Sequence, residues 1–318
     1  MIQAFYTDEF VLPLPAGHRF PMQKYRMLRD KVHQTLPTVR LEVPPPATDG
    51  QLALAHCPHY IARVVEGSLS ADEQKAIGFP WSVRMVERSR RSVGATIAAV
   101  RSALQHGASV NLAGGTHHAM HASGAGFCVF NDLAVAARVF QTDALAKGAR
   151  AGQLPKVLVL DLDVHQGDGT AQITSADPSV FTLSLHGEHN FPFQKMRSDL
   201  DVALPTGTGD EDYMEALTRA LQTVTNRFEP DLMLYVAGLD AHQSDRLGKL
   251  SLSDQGIEGR DRLVLDWAMR RRLPVVATMA GGYFPDLEHL TALQCGVVGR
   301  LLNYAMHFPS AHLIKTLN

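Results

Sequence analysis

The sequence lacks the features of a secreted, membrane or nucleic-acid-binding protein. Its 318 residues include three cysteines, Cys57, Cys128 and Cys295, which lie far apart without a C-x-x-C pair; this argues for a reducing compartment rather than a disulfide framework. No apolar run reaches the ~18 residues of a membrane helix, and the chain does not open on a basic region followed by an apolar core. The net charge of -2 provides no basic surface for nucleic acid or an anionic membrane. We therefore expect a soluble, cytoplasmic protein.

The chain instead alternates apolar strands with helical patterns. The strands of this pattern are 157–160, 180–185, 232–237 and 274–279, and a further short strand is expected at 109–113, before the loop that carries His117 and His118. Continuous branched apolar runs are typical of parallel strands that are buried on both faces. Alternating strands and helices predict a parallel sheet wrapped by helices on both faces. Because no repeat or linker interrupts the pattern, we expect one α/β domain over 1–318.

Other segments carry weaker structural expectations. Residues 1–50 favour a largely irregular opening with one helix at about 23–34, and 68–81 favours a polar loop. Ser82 can cap a long helix with an arginine-rich face that ends before Gly107. A long loop is expected at 189–208.

The stretch 156–170 is the centre of the functional interpretation. Its apolar run ends in Asp161, Asp163 and His165, which are spaced two apart. Because strand side chains alternate with period two, these three groups point the same way. Carboxylates and an imidazole at the end of a buried strand suit a divalent metal, and two glycines that follow let the chain turn close to it.

Polar groups follow several strands, and in parallel sheets ligands bind outside the carboxyl ends of the strands. The sequence therefore predicts one site at that edge. Two carboxylates and one imidazole, with positions left open for water and substrate, describe a catalytic metal site that needs no thiolate. The groups at four strand ends are His117 with His118, Asp163 with His165, Asp240, and Tyr283.

The remaining groups at these strand ends suit the hydrolysis of an amide. A histidine beside the metal, either His118 or His117, can take the proton of a metal-bound water. Each imidazole needs a carboxylate to fix its tautomer, and Asp161 and Asp168 are available in the same loop. The phenol of Tyr283 can donate to an oxyanion. Most of the fifteen histidines, including His56 and His59, are interpreted as structural.

Five motifs resemble those of the zinc-dependent histone deacetylases and their bacterial relatives, which share the arginase/deacetylase fold. The motifs are GGTHHA at 114–119, GFCVFND at 126–132, VLDLDVHQGDGT at 159–170, AGLD at 237–240 and GGY at 281–283. Leu162 and Gln166 are similar to the class IV branch, since class I has Trp and His there. The run 237–261 is also similar to class IV.

The resemblance implies the role of each site residue. It implies that Asp163, His165 and Asp240 bind Zn²⁺, for which Fe²⁺ is the alternative. His118 would be the main general base and acid, paired with Asp168. His117 would assist electrostatically, paired with Asp161, and Tyr283 would polarise the substrate carbonyl.

The resemblance further implies a substrate channel and a second ion. Gly126 and Phe127 would form one wall of an acyl-lysine channel, and Phe191 or Phe193 the other. Gly282 would also contact the substrate. A structural K⁺ would use Asp161, Ser184 and groups at Asp163, His165 and Leu185. The acidic residue with which the family grips the substrate backbone has no clear match in 66–81.

These observations favour a metal-dependent hydrolase that removes acetyl or longer acyl groups from lysine in proteins or peptides. Acetylpolyamine or another small acylated amine is the alternative substrate, because the same metal and histidines serve it. A dinuclear manganese ureohydrolase would require more carboxylates near 238–242. A non-catalytic acyl-lysine binding module would be expected to lose a base or the phenol, and this chain keeps both.

Overall fold

An eight-stranded parallel sheet forms the centre of the computed structural model, which describes residues 2–15, 17–150 and 153–309. The ends of the predicted domain, 1–318, lie outside these residues. The strand order is β2-β1-β3-β8-β7-β4-β5-β6, and every neighbouring pair is parallel. The strands are β1 (Gln3–Phe5), β2 (Arg40–Glu42), β3 (Ala108–Asn111), β4 (Val157–Asp161), β5 (Val180–Gly187), β6 (Leu200–Leu204), β7 (Leu232–Val236) and β8 (Val275–Thr278).

Helices cover both faces of this sheet. Alternate residues of β4 show this directly: Leu158 and Leu160 belong to one apolar cluster, whereas Val157 and Val159 belong to the other. The prediction of a parallel sheet flanked by helices on both faces is therefore confirmed. The helices are α1 (Gln23–Thr35), α2 (Asp49–Leu52), α3 (Pro58–Glu66), α4 (Ala71–Ile77), α5 (Val83–His106), α6 (Asp132–Ala146), α7 (Asp168–Thr174), α8 (Asp210–Arg227), α9 (Asp254–Arg270) and α10 (Leu287–His307).

The order of the strands explains why distant motifs meet. β3, β8, β7 and β4 are consecutive neighbours in the sheet. The segments that follow them carry His117 and His118, then Tyr283, then Asp240, and finally Asp163 with His165. Because all four strands run in the same direction, these segments leave the sheet at one edge.

The structure contains regular elements in two segments that were expected to be loops, and two short strands in the opening segment. The polar loop expected at 68–81 contains α4, which begins with a capping box between Ser70 and Glu73. The S-x-x-E signal of such a box is present in the sequence. The loop expected at 189–208 contains the edge strand β6, whose partly exposed residues lack the apolar run of a central strand. The irregular opening contains the short strands β1 and β2.

The predicted cap of α5 is confirmed, because the Ser82 hydroxyl accepts the Met85 N–H at 3.1 Å. In the middle of this helix Gly94 allows close approach of the preceding segment. A Cβ at Gly94 would overlap the Pro45 carbonyl oxygen and lie 3.2 Å from Ala47 N. The Ala47 N–H in turn donates to the Arg90 carbonyl at 3.0 Å.

We expect Gly94→Ala to lower the free energy of unfolding by about 1–3 kcal/mol, because the added methyl group displaces backbone rather than a flexible side chain. Gly259→Ala in α9 is the control, since its Cβ would approach no atom closer than Met214 Cε at 3.8 Å. That variant should gain about 0.5–1 kcal/mol through helix propensity. Urea denaturation of both variants measures the difference, and a shift of the same sign in both would contradict the account.

Candidate active site

The loop that carries His117 and His118 is held by backbone contacts to Asp132, the first residue of α6. The Asp132 carboxylate accepts the N–H of Gly115 at 3.1 Å and that of Thr116 at 2.8 Å. Gly115 has a φ of 70°, which few residues other than glycine adopt. The loop is thereby anchored to the N-terminus of a buried helix. As a result the two imidazole rings lie side by side, with centroids 4.2 Å apart.

Each of the two histidines is paired with the carboxylate that the resemblance implies. His117 Nδ1 donates to Asp161 Oδ2 at 2.6 Å, and His118 Nδ1 donates to Asp168 Oδ1 at 2.6 Å. The pairing fixes the proton on Nδ1 and leaves the Nε2 lone pair of a neutral ring free.

The two imidazoles differ in charge. Burial opposes a charge on His117, but the Asp161 and Asp163 carboxylates outweigh it and raise its pKa to about 9. Burial, together with the neighbouring His117 charge, lowers the pKa of His118 to about 4. At neutral pH His117 therefore carries a proton on both nitrogens. His118 is neutral and can accept one.

Asp163, His165 and Asp240 converge on one point. His165 Nδ1 lies 2.9 Å from Asp163 Oδ1 and 3.1 Å from Asp240 Oδ2, and one ligand atom from each residue lies within 4.8 Å of the others. The other carboxylate oxygens accept backbone N–H groups, from Gly281 to Asp163 at 2.8 Å and from Val164 to Asp240 at 2.9 Å.

This donor set fits a divalent metal. The carboxylates repel each other, and burial with the Asp163 charge raises the pKa of Asp240 to about 7. Burial opposes a charge on His165, yet hydrogen bonds to both carboxylates raise its pKa to about 10, so a cation between them is favoured. A Cβ at Gly281 would overlap the Asp240 carboxylate and lie 2.6 Å from Asp163 Oδ2, and only glycine leaves this space open. Two carboxylates and one imidazole leave coordination positions for water and substrate.

Tyr283 lines the same cavity as His118, Asp163 and His165. Its backbone N–H donates to Asp245 Oδ2 at 2.6 Å, which fixes the backbone from which the phenol projects. Burial and the charges of Asp163 and Asp240 raise the pKa of the Tyr283 hydroxyl well above its ordinary value. The hydroxyl therefore keeps its proton and can act as a hydrogen-bond donor.

The cavity has a volume of about 380 Å³ and contains three of the four predicted substrate-binding residues. Gly126 and Phe127 form part of one wall, and Phe191 stands edge-on to His118 with ring centroids 4.9 Å apart. Phe193 is 87% exposed at the mouth. Gly282 does not line the cavity: its Cβ position faces Leu290 at 2.9 Å, because the chain turns there toward α10.

The predicted potassium ligands lie behind the metal-type cluster. Asp161 at the end of β4 is directly paired with Ser184 of β5. The Asp161 carboxylate binds His117 and the Asp163 N–H, and the Ser184 hydroxyl lies 3.0 Å from His186 Nδ1. The side chains thus already have protein partners, and the potassium site stays a prediction.

Several residues that shape the site were not predicted from the sequence. Asn131 and Asp132 belong to a recognised motif in which either can cap α6, but their contacts with the loop of His117 and His118 were not predicted. Asn131 caps α6 and its Nδ2 also donates to the carbonyls of His117 and Ala119. Lys24 is buried, and its Nζ donates to the carbonyl of Gly282 at 3.1 Å. Lys24 falls in the helix predicted at about 23–34, and the helical pattern gave no signal of this contact.

A second cluster, His242 with Asp254 and His289, also has metal-type spacing among the described residues. The Nε2 atoms of both histidines lie 2.9 Å from Asp254 Oδ1. However, the Ser244 N–H donates to His242 Nδ1 at 3.0 Å. The proton of the neutral His242 ring must therefore be on Nε2, where a metal would need a lone pair. This cluster fits a set of hydrogen bonds that joins the segment after β7 to α9 and α10 better than it fits an ion site.

Comparisons with known proteins agree with the fold. A family model described as the histone deacetylase domain matches residues 18–297. An uncharacterized protein of Picosynechococcus sp. is 43% identical, over 90% of this chain and 93% of that protein. A histone deacetylase-like amidohydrolase of Pseudomonas aeruginosa is 32% identical, over 85% of this chain and 74% of that protein.

A crystal structure of a histone deacetylase homologue complexed with SAHA matches with a TM-score of 0.78 and 25% identity, covering 99% of this chain and 88% of that one. The class is therefore that of deacetylases and amidohydrolases with the arginase/deacetylase fold. The chain belongs to the histone deacetylase family. None of the described helices combines the length and apolar character needed to cross a bilayer.

We expect Asp240→Ala to abolish stoichiometric binding of a divalent metal, because it removes one of three ligands from the central cluster. His289→Ala, which alters the second cluster, should keep the metal content of the unaltered protein. Metal analysis of the purified variants measures both. Equal metal content in Asp240→Ala and the unaltered protein would place the metal elsewhere.

Proposed function

We propose that the protein is a metal-dependent amidohydrolase that removes acetyl or longer acyl groups from lysine side chains in proteins or peptides. The observation that carries the proposal is the arrangement of His118, paired with Asp168, beside the cluster of Asp163, His165 and Asp240. His118, Asp163 and His165 line one cavity. Proteins of the family generally use a metal, and Zn²⁺ is proposed here, with Fe²⁺ as the alternative. The catalytic domain is proposed to extend over 1–318.

A metal held by Asp163, His165 and Asp240 would polarise the amide carbonyl and lower the pKa of a bound water. The neutral His118 would take up a proton through Nε2 and give it to the leaving amine. Asp168 fixes the ring in the orientation and tautomer that this transfer needs. The charged His117, held by Asp161, stabilises the negative charge that develops nearby, and the Tyr283 hydroxyl donates to the carbonyl oxygen.

The charges at the mouth of the cavity favour an acyl-lysine over an acylated polyamine. The exposed mouth carries Arg19 and Lys249, and among the described residues that line the cavity Asp163 is the only carboxylate. A polyamine brings further ammonium groups, which these cations repel. The aromatic walls formed by Phe127 and Phe191 suit an apolar acyl-lysine stem.

We expect His118→Ala to lower kcat by about 10²–10⁴ while the metal content stays the same, because a general acid–base group is lost. His117→Ala should lower kcat less, since this ring acts through its charge. His59→Ala, on the exposed surface of α3, is the control without effect. Steady-state kinetics on an acetyl-lysine peptide give the order, and a larger loss for His117→Ala would exchange the two roles.

We expect Tyr283→Phe to lower kcat by about 10²–10³ with little change in ground-state binding, because the hydroxyl acts on the carbonyl oxygen only as charge develops there. Tyr6→Phe is the matched control, since Tyr6 packs under Arg29 rather than in the cavity. Turnover of an acetyl-lysine and a long-chain acyl-lysine peptide is the measurement. An unchanged kcat on both peptides would remove Tyr283 from the mechanism.

A further inference from the structure

The buried part of the cavity contains an arginine whose guanidinium has no hydrogen-bond partner among the described residues. Arg88 lies on α5, lines the cavity and is only 8% exposed. Its Nε and Nη2 atoms are buried and make no hydrogen bond to any described residue. The guanidinium carbon lies 4.6 Å from the centre of the Tyr25 ring and 5.9 Å from that of Phe20. The aromatic rings hold the guanidinium but leave its donors free.

Other arginines of the chain show that this state is unusual. Arg260, which is fully buried, donates to both Asp261 and the Gly238 carbonyl. Arg91, on the same helix as Arg88, pairs with Glu87 at 2.7 Å. A buried charge without a partner costs several kcal/mol. An unpaired Arg88 is therefore expected where a ligand supplies the counter-charge.

The groups around Arg88 favour binding of an anion. Lys24 Nζ lies 5.3 Å from the centre of the same Tyr25 ring and adds a second cation. The Lys24 donors bind the carbonyls of Ala280 and Gly282, which neutralise no charge. Ser92 lies beside Arg88 in the cavity lining and can contribute a hydroxyl. A planar guanidinium with free donors favours a carboxylate, which it can bind through two oxygens.

The position of Arg88 indicates which carboxylate it binds. The Phe20 ring links Arg88 to Tyr283: its centroid lies 6.5 Å from that of Tyr283 and 5.9 Å from the Arg88 guanidinium carbon. One aromatic ring therefore separates Arg88 from Tyr283, the residue proposed to contact the reacting carbonyl. This spacing suits a group at the far end of a short acyl chain rather than the carbonyl itself.

We propose that Arg88 binds a carboxylate at the far end of the acyl group, so that the protein hydrolyses lysine amides of short dicarboxylic acids such as succinyl-lysine and glutaryl-lysine. The proposal rests on the proposed amidohydrolase function. Water adds across the amide: the C–N bond breaks, the acyl carbon gains the hydroxyl, and the lysine nitrogen gains the proton. The products are a dicarboxylate and a free lysine side chain.

The test compares kcat/KM for a succinyl-lysine peptide with that for the same peptide bearing the neutral succinamoyl group, which has equal length. The unaltered protein should favour the charged group at least about tenfold, and Arg88→Met should lower this ratio by about 10–100-fold, the effect of losing a charge-assisted hydrogen bond. Arg90→Met is the matched control, because Arg90 on the same helix pairs with Asp49 outside the cavity. It should keep the ratio.

Further measurements separate the ways in which the proposal can fail. Equal ratios in the unaltered protein and in Arg88→Met, with acetyl-lysine turned over, overturn the carboxylate proposal alone. No turnover of any acyl-lysine peptide overturns the proposed function itself. Inhibition by added acetate that Arg88→Met relieves, with the ratio unchanged, would assign Arg88 to the released acid and overturn the proposal. If Arg88→Met does not fold, Arg88→Gln, which keeps donors but loses the charge, must lower the ratio instead.

Discussion

The mutual repulsion of Asp163 and Asp240 is the constraint on which the rest of the site depends. Both carboxylates are buried and both approach His165 Nδ1. Such a pair is tolerable only where positive charge lies between the oxygens, so the fold must supply a cation or bind one. The backbone N–H groups of Gly281 and Val164 hold the remaining oxygens. The site therefore depends on the backbone N–H groups around the carboxylates, and on the space that glycine leaves for them, as well as on the carboxylates and the imidazole.

Buried charges are also compensated in the residues around Asp163 and Asp240. His117 and His118 face the cluster and are each tied to a carboxylate on the far side, so each imidazole has a partner that fixes its orientation. A buried arginine stabilises the segment that precedes Asp240. Arg260, fully buried, binds both Asp261 and the carbonyl of Gly238, two residues before Asp240. Arg88 is the exception to this pattern of compensated charge, and the exception lies in the cavity.

The sequence predicted the sheet and the central site because both follow from strong local signals. The apolar runs of β4, β5, β7 and β8 identify buried strands, and the period of a strand places Asp161, Asp163 and His165 on one side. Short edge strands such as β2 and β6 carry no such run. The direction in which Gly282 faces could not be predicted, because it depends on how the chain turns toward α10 rather than on a pattern.

The burial of Arg88 could not be predicted from the sequence either. The arginine-rich face of α5 was evident in the sequence, but helical period alone does not say how deeply one face is covered. Tyr25 and Phe20, which enclose Arg88, come from a segment about 60 residues earlier. Only the assembled structure shows that one of several arginines on this helix is turned inward.

The order of the strands also affects how the site forms during folding. The segments that carry His117, Asp163, Asp240 and Tyr283 are far apart in the chain, yet they follow four consecutive strands of the sheet. Closing such long loops has a large entropic cost before any contact between the segments rewards it. The candidate site is therefore complete only after β3, β8, β7 and β4 have paired. During synthesis, no amino-terminal portion of the chain that stops before β8 can complete it.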